Sequence, residues 1–314
     1  MISLAHPDFR DGPERRAYEH RLIPRGLRFS AARATLDGGR PGEDEMIEHA
    51  REHEPEQDPP IVANTRDGVA TLWLNRPQQL NALSDAMLEG LQRELDRLAE
   101  DRSVRCIVLA AHGRAFSAGH DLGEMRRRQR DYESCRELFA RCSRVMQSIR
   151  ALPVPVIARV QGLATAAGCQ LVGSCDLAIA AQTARFAVSG INVGLFCSTP
   201  SVALARNVAT KRAFDLLVTG RFIDAPIACA WGLINESVPP DELDAAVERK
   251  VREIVAKSPA AIRHGKAMFY RQLAMPLPQA YELAGEVMAR NMLEDDVAEG
   301  IDAFLERRAP VWKS

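Results

Sequence analysis

Two stretches of this sequence share one layout, in which an apolar run leads into a turn with glycine and then into residues with helical spacing. The first is RCIVLAA (105–111) followed by FSAGHDL (116–122). The second is VPVIARV (154–160) followed by GLATAAGCQL (162–171). Continuous apolar runs of this length are typical of strands that are buried on both faces. Alternation of such strands with turns and helices predicts an α/β fold in which helices cover a sheet.

The flanking regions extend this pattern. VATLWL (69–74) and DLAIAA (176–181) are predicted to be strands. Ser84 is suited to cap a helix with one apolar face, formed by Met87, Leu88, Leu91, Leu95 and Leu98. After about residue 200 the pattern is helical, with a helix predicted over 241–258 and Asp241 as its cap. We expect the last helices to cover the core or to pack on another subunit.

Composition excludes several function classes. The 314 residues are 46% hydrophobic and 26% charged, with a net charge of −1, so no overall field favours nucleic acid or a membrane surface. No apolar run approaches the roughly 18 residues of a membrane span. The seven cysteines include no CxxC pair, so neither a disulfide framework nor a metal site is indicated. We expect buried free thiols in a reducing compartment, with Cys169 and Cys197 as inert packing residues.

The first 58 residues differ from the rest because they are rich in Arg, Glu, Asp, Pro and Gly. This composition predicts a partly disordered extension. The segment RLIPRGLRFSAARATL (21–36) is basic, as transit peptides are, but four acidic residues precede it and no apolar secretion signal is present. The sequence therefore favours a cytoplasmic protein, with the mitochondrial matrix as the alternative.

The two turns are the candidate functional site. The start of a helix has up to four free N–H donors and the positive end of the helix dipole. Two such turns that meet would place two N–H groups around one oxygen, as in an oxyanion hole. That arrangement suits a thioester carbonyl that develops into an enolate. The alternative is that both turns are ordinary connections between a strand and a helix.

Five motifs in their order resemble the crotonase family, the enoyl-CoA hydratase/isomerase superfamily, over residues 60–314. They are VATLWLNRPQQLNAL, GRAFSAGHDL, VQGLATAAGCQLVGSCDLAIA, FAVSGINVGL and EGIDAFLERRAPVW. Within the family, GLATAAGCQL and NVGLFCSTP resemble the mitochondrial enoyl-CoA hydratase domain-containing type, which carries the GCQL motif.

The resemblance implies a crotonase-like spiral of ββα units over 59–255 and a C-terminal helical trimerisation region over 256–314. It also implies a homotrimer or a hexamer. The ligand would be an acyl-CoA thioester, with coenzyme A as part of the substrate and no tightly bound cofactor.

The same resemblance assigns site residues by their position in the motifs. The thioester oxygen would bind the backbone amides of Ala118 and Ala167, with Gly168 next to the second. Other matched positions would line the path of the CoA arm, namely Ala82, Gly119, His120 and Asp121. Phe304 and Arg307 would contact the CoA of a neighbouring subunit, and Arg307 keeps a positive charge for a phosphate.

The two glutamates that family hydratases use fall at Gln170 and Gly190. Positioned acid–base groups contribute about 10²–10⁴-fold each, and Gln170 cannot accept a proton as a base. We therefore expect acyl-CoA binding with weak or absent hydratase activity. Two alternatives are a different thioester reaction, such as decarboxylation or hydrolysis with His120 or Glu124, and a non-catalytic CoA-binding or assembly protein.

Overall fold

The computed structural model describes residues 58–313, which belong to one compact unit. The predicted N-terminal extension, apart from residue 58, lies outside the described residues. Within them, the strands form one six-stranded and one four-stranded sheet. In chain order the strands are β1 Ile61–Arg66, β2 Val69–Leu74, β3 Cys106–Ala111, β4 Ala115–Ser117, β5 Val156–Val160, β6 Leu163–Thr165, β7 Leu177–Ala181, β8 Arg185–Ala187, β9 Ile223–Asp224 and β10 Glu236–Val238.

Helices follow the strands and then dominate the C-terminal part. They are α1 Asp85–Glu100, α2 Leu122–Arg128, α3 Tyr132–Ala151, α4 Ala167–Ser174, α5 Ser198–Leu204, α6 Thr210–Thr219, α7 Ala225–Ala230, α8 Leu243–Val255, α9 Pro259–Gln272, α10 Leu277–Asn291 and α11 Asp295–Glu306. Short 3₁₀ turns occur at Pro77–Gln79, Ser189–Val193 and Pro240–Glu242.

The chain repeats one ββα unit. The first strands of successive units, β3, β5 and β7, pair in parallel in the large sheet. The second strands, β4, β6 and β8, pair in parallel in the small sheet, and each is followed by helical residues. This arrangement confirms the predicted spiral of ββα units. It also brings the ends of β4 and β6 side by side, because these two strands are neighbours in the small sheet.

The core forms where the hydrophobic pattern predicts it. Every residue of β3 is buried, and the five predicted apolar positions of α1 are buried as well. The Met87 N–H donates to Ser84 Oγ at 3.3 Å, so Ser84 caps α1 as expected. Full burial of a large apolar side chain contributes about 1.5–3 kcal/mol. The prediction for Asp241 is wrong, because this residue lies in a 3₁₀ turn and α8 begins at Leu243 without a side-chain cap.

The seven cysteines all lie in the described range, and all are free thiols. Burial raises the pKa of Cys106, Cys142 and Cys169 to about 12, which keeps these thiols protonated and unreactive at neutral pH. In residues 58–313, no group of three or more His, Cys, Asp and Glu side chains is arranged to hold a metal ion. No helix in this range is long and apolar enough to cross a bilayer.

Candidate active site

The two glycine turns meet at the ends of β4 and β6. A Cβ atom on Gly168, in the first turn of α4, would lie 2.2 Å from the carbonyl oxygen of Ser117 in β4, so only glycine permits this contact. Gly119 has a φ of 89°, which favours glycine, and a Cβ atom there would lie 3.2 Å from the Ala167 nitrogen. Close packing of backbone on backbone therefore places the first turn directly against the second.

The Ala118 amide is not available to a ligand. Its N–H donates to the Leu80 carbonyl at 3.0 Å. The assignment of Ala118 as an oxyanion donor is therefore wrong, although the residue does line the cavity described below. Sequence reasoning missed this because the acceptor comes from a segment that lies 38 positions earlier in the chain.

The free amide of the first turn belongs to His120. The Leu83 N–H donates to the Gly119 carbonyl at 2.7 Å, and the Asp121 N–H donates to the Leu83 carbonyl at 3.4 Å. These two bonds form a parallel bridge between Leu83 and His120. In a strand, successive N–H groups point to opposite sides, so the His120 N–H faces away from Leu83. It has no hydrogen-bond partner among residues 58–313.

The free amide of the second turn belongs to Ala167, the residue that the family resemblance assigns to the thioester oxygen. Ala167 is the first residue of α4, and the first N–H groups of a helix have no acceptor within it. The preceding residue, Ala166, donates its own N–H to the Ala187 carbonyl at 2.9 Å. Ala166 has φ 51° and ψ −120°, a conformation that non-glycine residues rarely adopt. This strained residue directly precedes the Ala167 amide, whose nitrogen lies against Gly119 of the first turn.

Both turns line a cavity of about 350 Å³. Its wall is mainly apolar, and the titratable side chains that the described residues contribute to it are those of His120 and Cys197. Polar hydroxyls come from Ser189, Ser198 and Thr199. The remaining lining residues are Ala118, Leu122, Met125, Phe139, Ala166, Ala167, Gly190, Val193, Leu195, Phe196 and Pro200. No described carboxylate reaches this wall.

His120 is partly exposed as a residue, but both nitrogens of its imidazole are buried, and neither has a hydrogen-bond partner by distance and angle among the described residues. The ring meets Phe139 edge-on, with 5.6 Å between ring centroids. Burial lowers the pKa of His120 below its usual value of 6.5, and the nearby charge of Arg128 acts in the same direction, while the Leu83 backbone and the Asp85 carboxylate oppose this shift without cancelling it. His120 is therefore a neutral base at pH 7.

Of the two positions where family hydratases carry glutamate, only Gly190 lines the cavity. A Cβ atom on Gly190 would lie 2.6 Å from the Leu195 carbonyl oxygen and 2.8 Å from Cys197 Sγ, so no side chain fits without a shift of that segment. Gln170 is buried, and its Oε1 atom has no partner, but it lines a neighbouring cleft that shares Thr199 with the cavity. The structure does not bring Gln170 and Gly190 onto one wall.

The acidic residues near the first turn have other partners. Asp121 caps α2 by accepting the N–H groups of Gly123 and Glu124 at 2.9 and 3.1 Å. Glu124 accepts the Asp85 N–H at 2.9 Å and does not line the cavity. The suggested use of Glu124 as a base is therefore not supported by its position.

The residues assigned to the CoA arm lie outside the cavity wall, apart from His120. The Ala82 N–H donates to the Gln79 carbonyl at 3.1 Å. Phe304 is 82% exposed on α11, and Arg307 ends that helix in a left-handed conformation. Contacts of these residues with CoA, including contacts to a neighbouring subunit, stay predictions.

Comparison with known proteins identifies the family. The model of the enoyl-CoA hydratase/isomerase family matches residues 64–314. The chain belongs to the enoyl-CoA hydratase/isomerase family. Human enoyl-CoA hydratase domain-containing protein 3, mitochondrial, is 47% identical over 263 residues, which are 83% of this chain and 85% of the human protein. The rat protein of the same name is 45% identical over 84% of this chain and 88% of its own length.

Solved structures agree with this family assignment. The crystal structure of an enoyl-CoA hydratase from Mycobacterium smegmatis matches with a TM-score of 0.80 and 56% identity, over 82% of this chain and all of that chain. The structure of human enoyl-CoA hydratase domain-containing protein 3 matches with a TM-score of 0.78 and 46% identity, over 81% of this chain and all of that one. The names of the human and rat proteins include the word mitochondrial, which does not support the expected cytoplasmic location.

Proposed function

We propose that this member of the enoyl-CoA hydratase/isomerase family binds an acyl-CoA thioester with its carbonyl oxygen between the amides of His120 and Ala167. Negative charge that develops on this oxygen, as in an enolate, is stabilised by both N–H groups. The observation that carries the proposal is the pair of unpartnered amides on two turns in backbone contact. One such donor contributes about 2.7–4 kcal/mol to stabilisation of a developing oxyanion.

The cavity fits the acyl part of such a ligand. Its volume is at the lower end of the range for small-molecule sites, and its wall is mainly apolar with a few hydroxyls. Exposed apolar side chains border its opening, among them Leu122, Val193 and Phe196. These features favour a short apolar acyl chain over a charged one.

Hydration of enoyl-CoA is proposed to be weak or absent. That reaction in the family relies on two carboxylates, and no carboxylate of the described residues reaches the cavity. The segment that includes Leu195 also occupies the space that a side chain at residue 190 would need. Replacement of Gln170 and Gly190 by glutamate is therefore not expected to restore hydration.

We further propose a homotrimer or hexamer built through the C-terminal helices. Large apolar side chains are exposed there without partners in the described chain, including Leu277, Tyr281, Met288, Leu293 and Leu305. Light scattering should give three or six times the subunit mass, and Tyr281→Glu with Met288→Glu should lower it. A monomeric parent chain would contradict this assignment.

The remaining expectations are proposals of the same kind. We propose no tightly bound cofactor, no nucleic-acid partner and no role for a membrane surface. The names of the curated relatives favour the mitochondrial alternative over the cytoplasmic one.

The thioester proposal is tested with a pair of ligands that differ only at the carbonyl. Butyryl-CoA carries the thioester oxygen, whereas S-butyl-CoA replaces the carbonyl with a methylene group. Two neutral hydrogen bonds together contribute about 1–3 kcal/mol, so calorimetric titration should show S-butyl-CoA binding about tenfold or more weakly. Equal affinities would mean that the amides do not hold the carbonyl. Crotonyl-CoA should keep its enoyl absorbance in the presence of the protein, and rapid hydration would contradict the loss of acid–base groups.

A further inference from the structure

The cavity contains one side chain that is able to exchange a proton at neutral pH. Among the described lining residues only His120 and Cys197 titrate. Burial raises the pKa of Cys197, and its Sγ atom accepts the Gly190 N–H at 3.3 Å. The thiol is therefore protonated and already hydrogen-bonded, which leaves the His120 imidazole as the available base.

The surroundings of His120 keep its ring free. Both ring nitrogens are buried and have no hydrogen-bond partner by distance and angle, although the Leu83 backbone lies near enough to raise the pKa of the ring. A buried polar group without a partner is costly unless a ligand or water bonds to it. Charged groups face it from two elements, Asp85 of α1 and Arg128 of α2, while α3 contributes only the apolar ring of Phe139. Asp85 is paired with Arg128 and with Arg141, the latter at 2.9 Å, so it does not form an ion pair with the imidazole.

The covalent structure of His120 places this base next to the thioester. Its own main-chain N–H is one of the two amides of the oxyanion hole, and its ring lines the same cavity. The ring therefore lies within one side-chain length of the bound carbonyl oxygen. The carbon that loses a proton during enolate formation is bonded to that carbonyl, so base and acidic carbon share the same small space.

We propose that the His120 imidazole is the catalytic base of this cavity and takes a proton from the carbon adjacent to the thioester carbonyl. This inference rests on the proposed binding of the thioester. The C–H bond breaks, its electron pair forms the carbon–carbon double bond of the enolate, and the charge moves to the oxygen held by His120 and Ala167. The imidazolium returns a proton to the same carbon. In D₂O the imidazolium exchanges first, so that each cycle converts one C–H and D₂O into C–D and HOD.

The experiment follows deuterium incorporation at the second carbon of butyryl-CoA in D₂O by NMR or mass spectrometry. The full-length parent protein should catalyse this exchange. His120→Asn and His120→Gln keep the backbone amide and remove the base, so exchange should fall about a hundredfold or more. The affinity for butyryl-CoA should change by no more than about threefold, because the backbone donors remain.

His112→Asn is the matched control, because His112 is also a histidine near an aromatic ring but is exposed and lies outside the cavity. Its exchange rate should equal that of the parent chain. His120→Ala should regain exchange when free imidazole is added. A role limited to packing would not be restored by added base.

The pH profile gives a second measure that needs no variant. The neutral imidazole is the active form, and burial holds its pKa below 6.5. Exchange by the parent protein should therefore be constant well above pH 6.5 and should decrease as the pH falls through the lowered pKa.

Two outcomes overturn the inference while leaving the proposed function in place. In the first, the parent protein binds butyryl-CoA more tightly than S-butyl-CoA but catalyses no deuterium exchange. The other is equal exchange by the folded His120→Asn and His120→Gln variants. Failure of the thioester to bind better than S-butyl-CoA would instead show that the proposed function itself is wrong.

Discussion

The first turn, residues 117–121, and the second turn, residues 165–168, each present one free amide to the same cavity, but they are positioned by different forces. Hydrogen bonds to the segment 80–83 hold the first turn, including those made by the Ala118 and Asp121 N–H groups. The second turn has one such bond, from the Ala166 N–H to the Ala187 carbonyl, and is held mainly by the steric contact of Gly168 with the Ser117 carbonyl. The first turn leads into a short helix without buried residues, whereas every residue of α4 is buried.

This difference indicates which of the two turns tolerates amino-acid substitutions. Hydrogen bonds to the backbone leave the side chain at residue 120 free to vary, whereas close packing fixes the residues of the second turn. The second turn should therefore account for most of the stability of the site, and the first turn for most of its chemistry.

The largest expected effect on stability concerns two aspartates, Asp176 after α4 and Asp121 before α2. Asp176 accepts hydrogen bonds from the Val156 N–H and from the Lys266 ammonium, each at 2.7 Å. The Asp176 side chain is only 11% exposed, and that of Lys266 is only 6% exposed. Asp176→Ala leaves a buried ammonium without its partner and should lower the free energy of unfolding by about 3–5 kcal/mol. Asp121→Ala removes a partly exposed cap and should cost only about 0.5–2 kcal/mol. Urea denaturation of both variants measures the comparison, and equal losses would contradict it.

Gly168→Ala should have the next largest effect, because its Cβ atom would lie 2.2 Å from the Ser117 carbonyl oxygen. Overpacking of this kind costs about 1–3 kcal/mol and should separate the two amides, which also weakens butyryl-CoA binding. Gly173→Ala is the control in the same helix, because its nearest neighbours would lie at an ordinary 3.5 Å. Denaturation and calorimetry test both variants. A tolerated Gly168→Ala with unchanged binding would show that this contact does not set the distance between the turns.

Ala166→Gly should stabilise the protein slightly. A non-glycine residue at φ 51° and ψ −120° stores about 1–3 kcal/mol of strain, whereas glycine increases the entropy of the unfolded chain by about 0.4–1 kcal/mol. The net expectation is a gain of about 1 kcal/mol in the free energy of unfolding. Thermal denaturation checks the sign, and a loss of stability would mean that the Ala166 methyl group contributes packing that exceeds its strain.

The smallest expected effect is the pH dependence of stability that His120 in the first turn contributes. Well above pH 6.5 His120 is neutral in both the folded and the unfolded chain, so it adds no pH dependence there. As the pH falls below 6.5 the unfolded chain binds a proton that the folded chain resists, because burial lowers the folded pKa. The parent protein should lose more stability between pH 7 and pH 5 than His120→Asn. If urea titrations show that both proteins lose the same stability over this pH range, the pKa of His120 is not lowered by folding.

The sequence predicts elements well where the cause is local. The apolar run of β3, the cap at Ser84 and the apolar face of α1 depend on neighbours within a few residues, and all three are confirmed. The layout of strand, glycine turn and helix also predicts the two turns that meet and line the cavity. These signals survive in a single sequence because spacing and residue type decide them.

The details of the site depend on distant segments and could not be predicted in this way. The Leu80 carbonyl decides that the Ala118 amide is not available to a ligand. The Leu195 carbonyl decides that no side chain fits at residue 190. Both are backbone oxygens, which every residue type carries, so the sequence contains no local sign of them. A general indication was available in Gly119, since the residue after such a turn often presents its N–H to a ligand.

In the proposed mechanism His120 contributes through two groups of different origin, a main-chain N–H that no substitution other than proline removes and an imidazole that any substitution removes. Recognition of the ligand and turnover of the ligand are therefore separable at a single codon. Related proteins could therefore differ at this one residue and catalyse different reactions, while the backbone amides that bind the thioester stay the same.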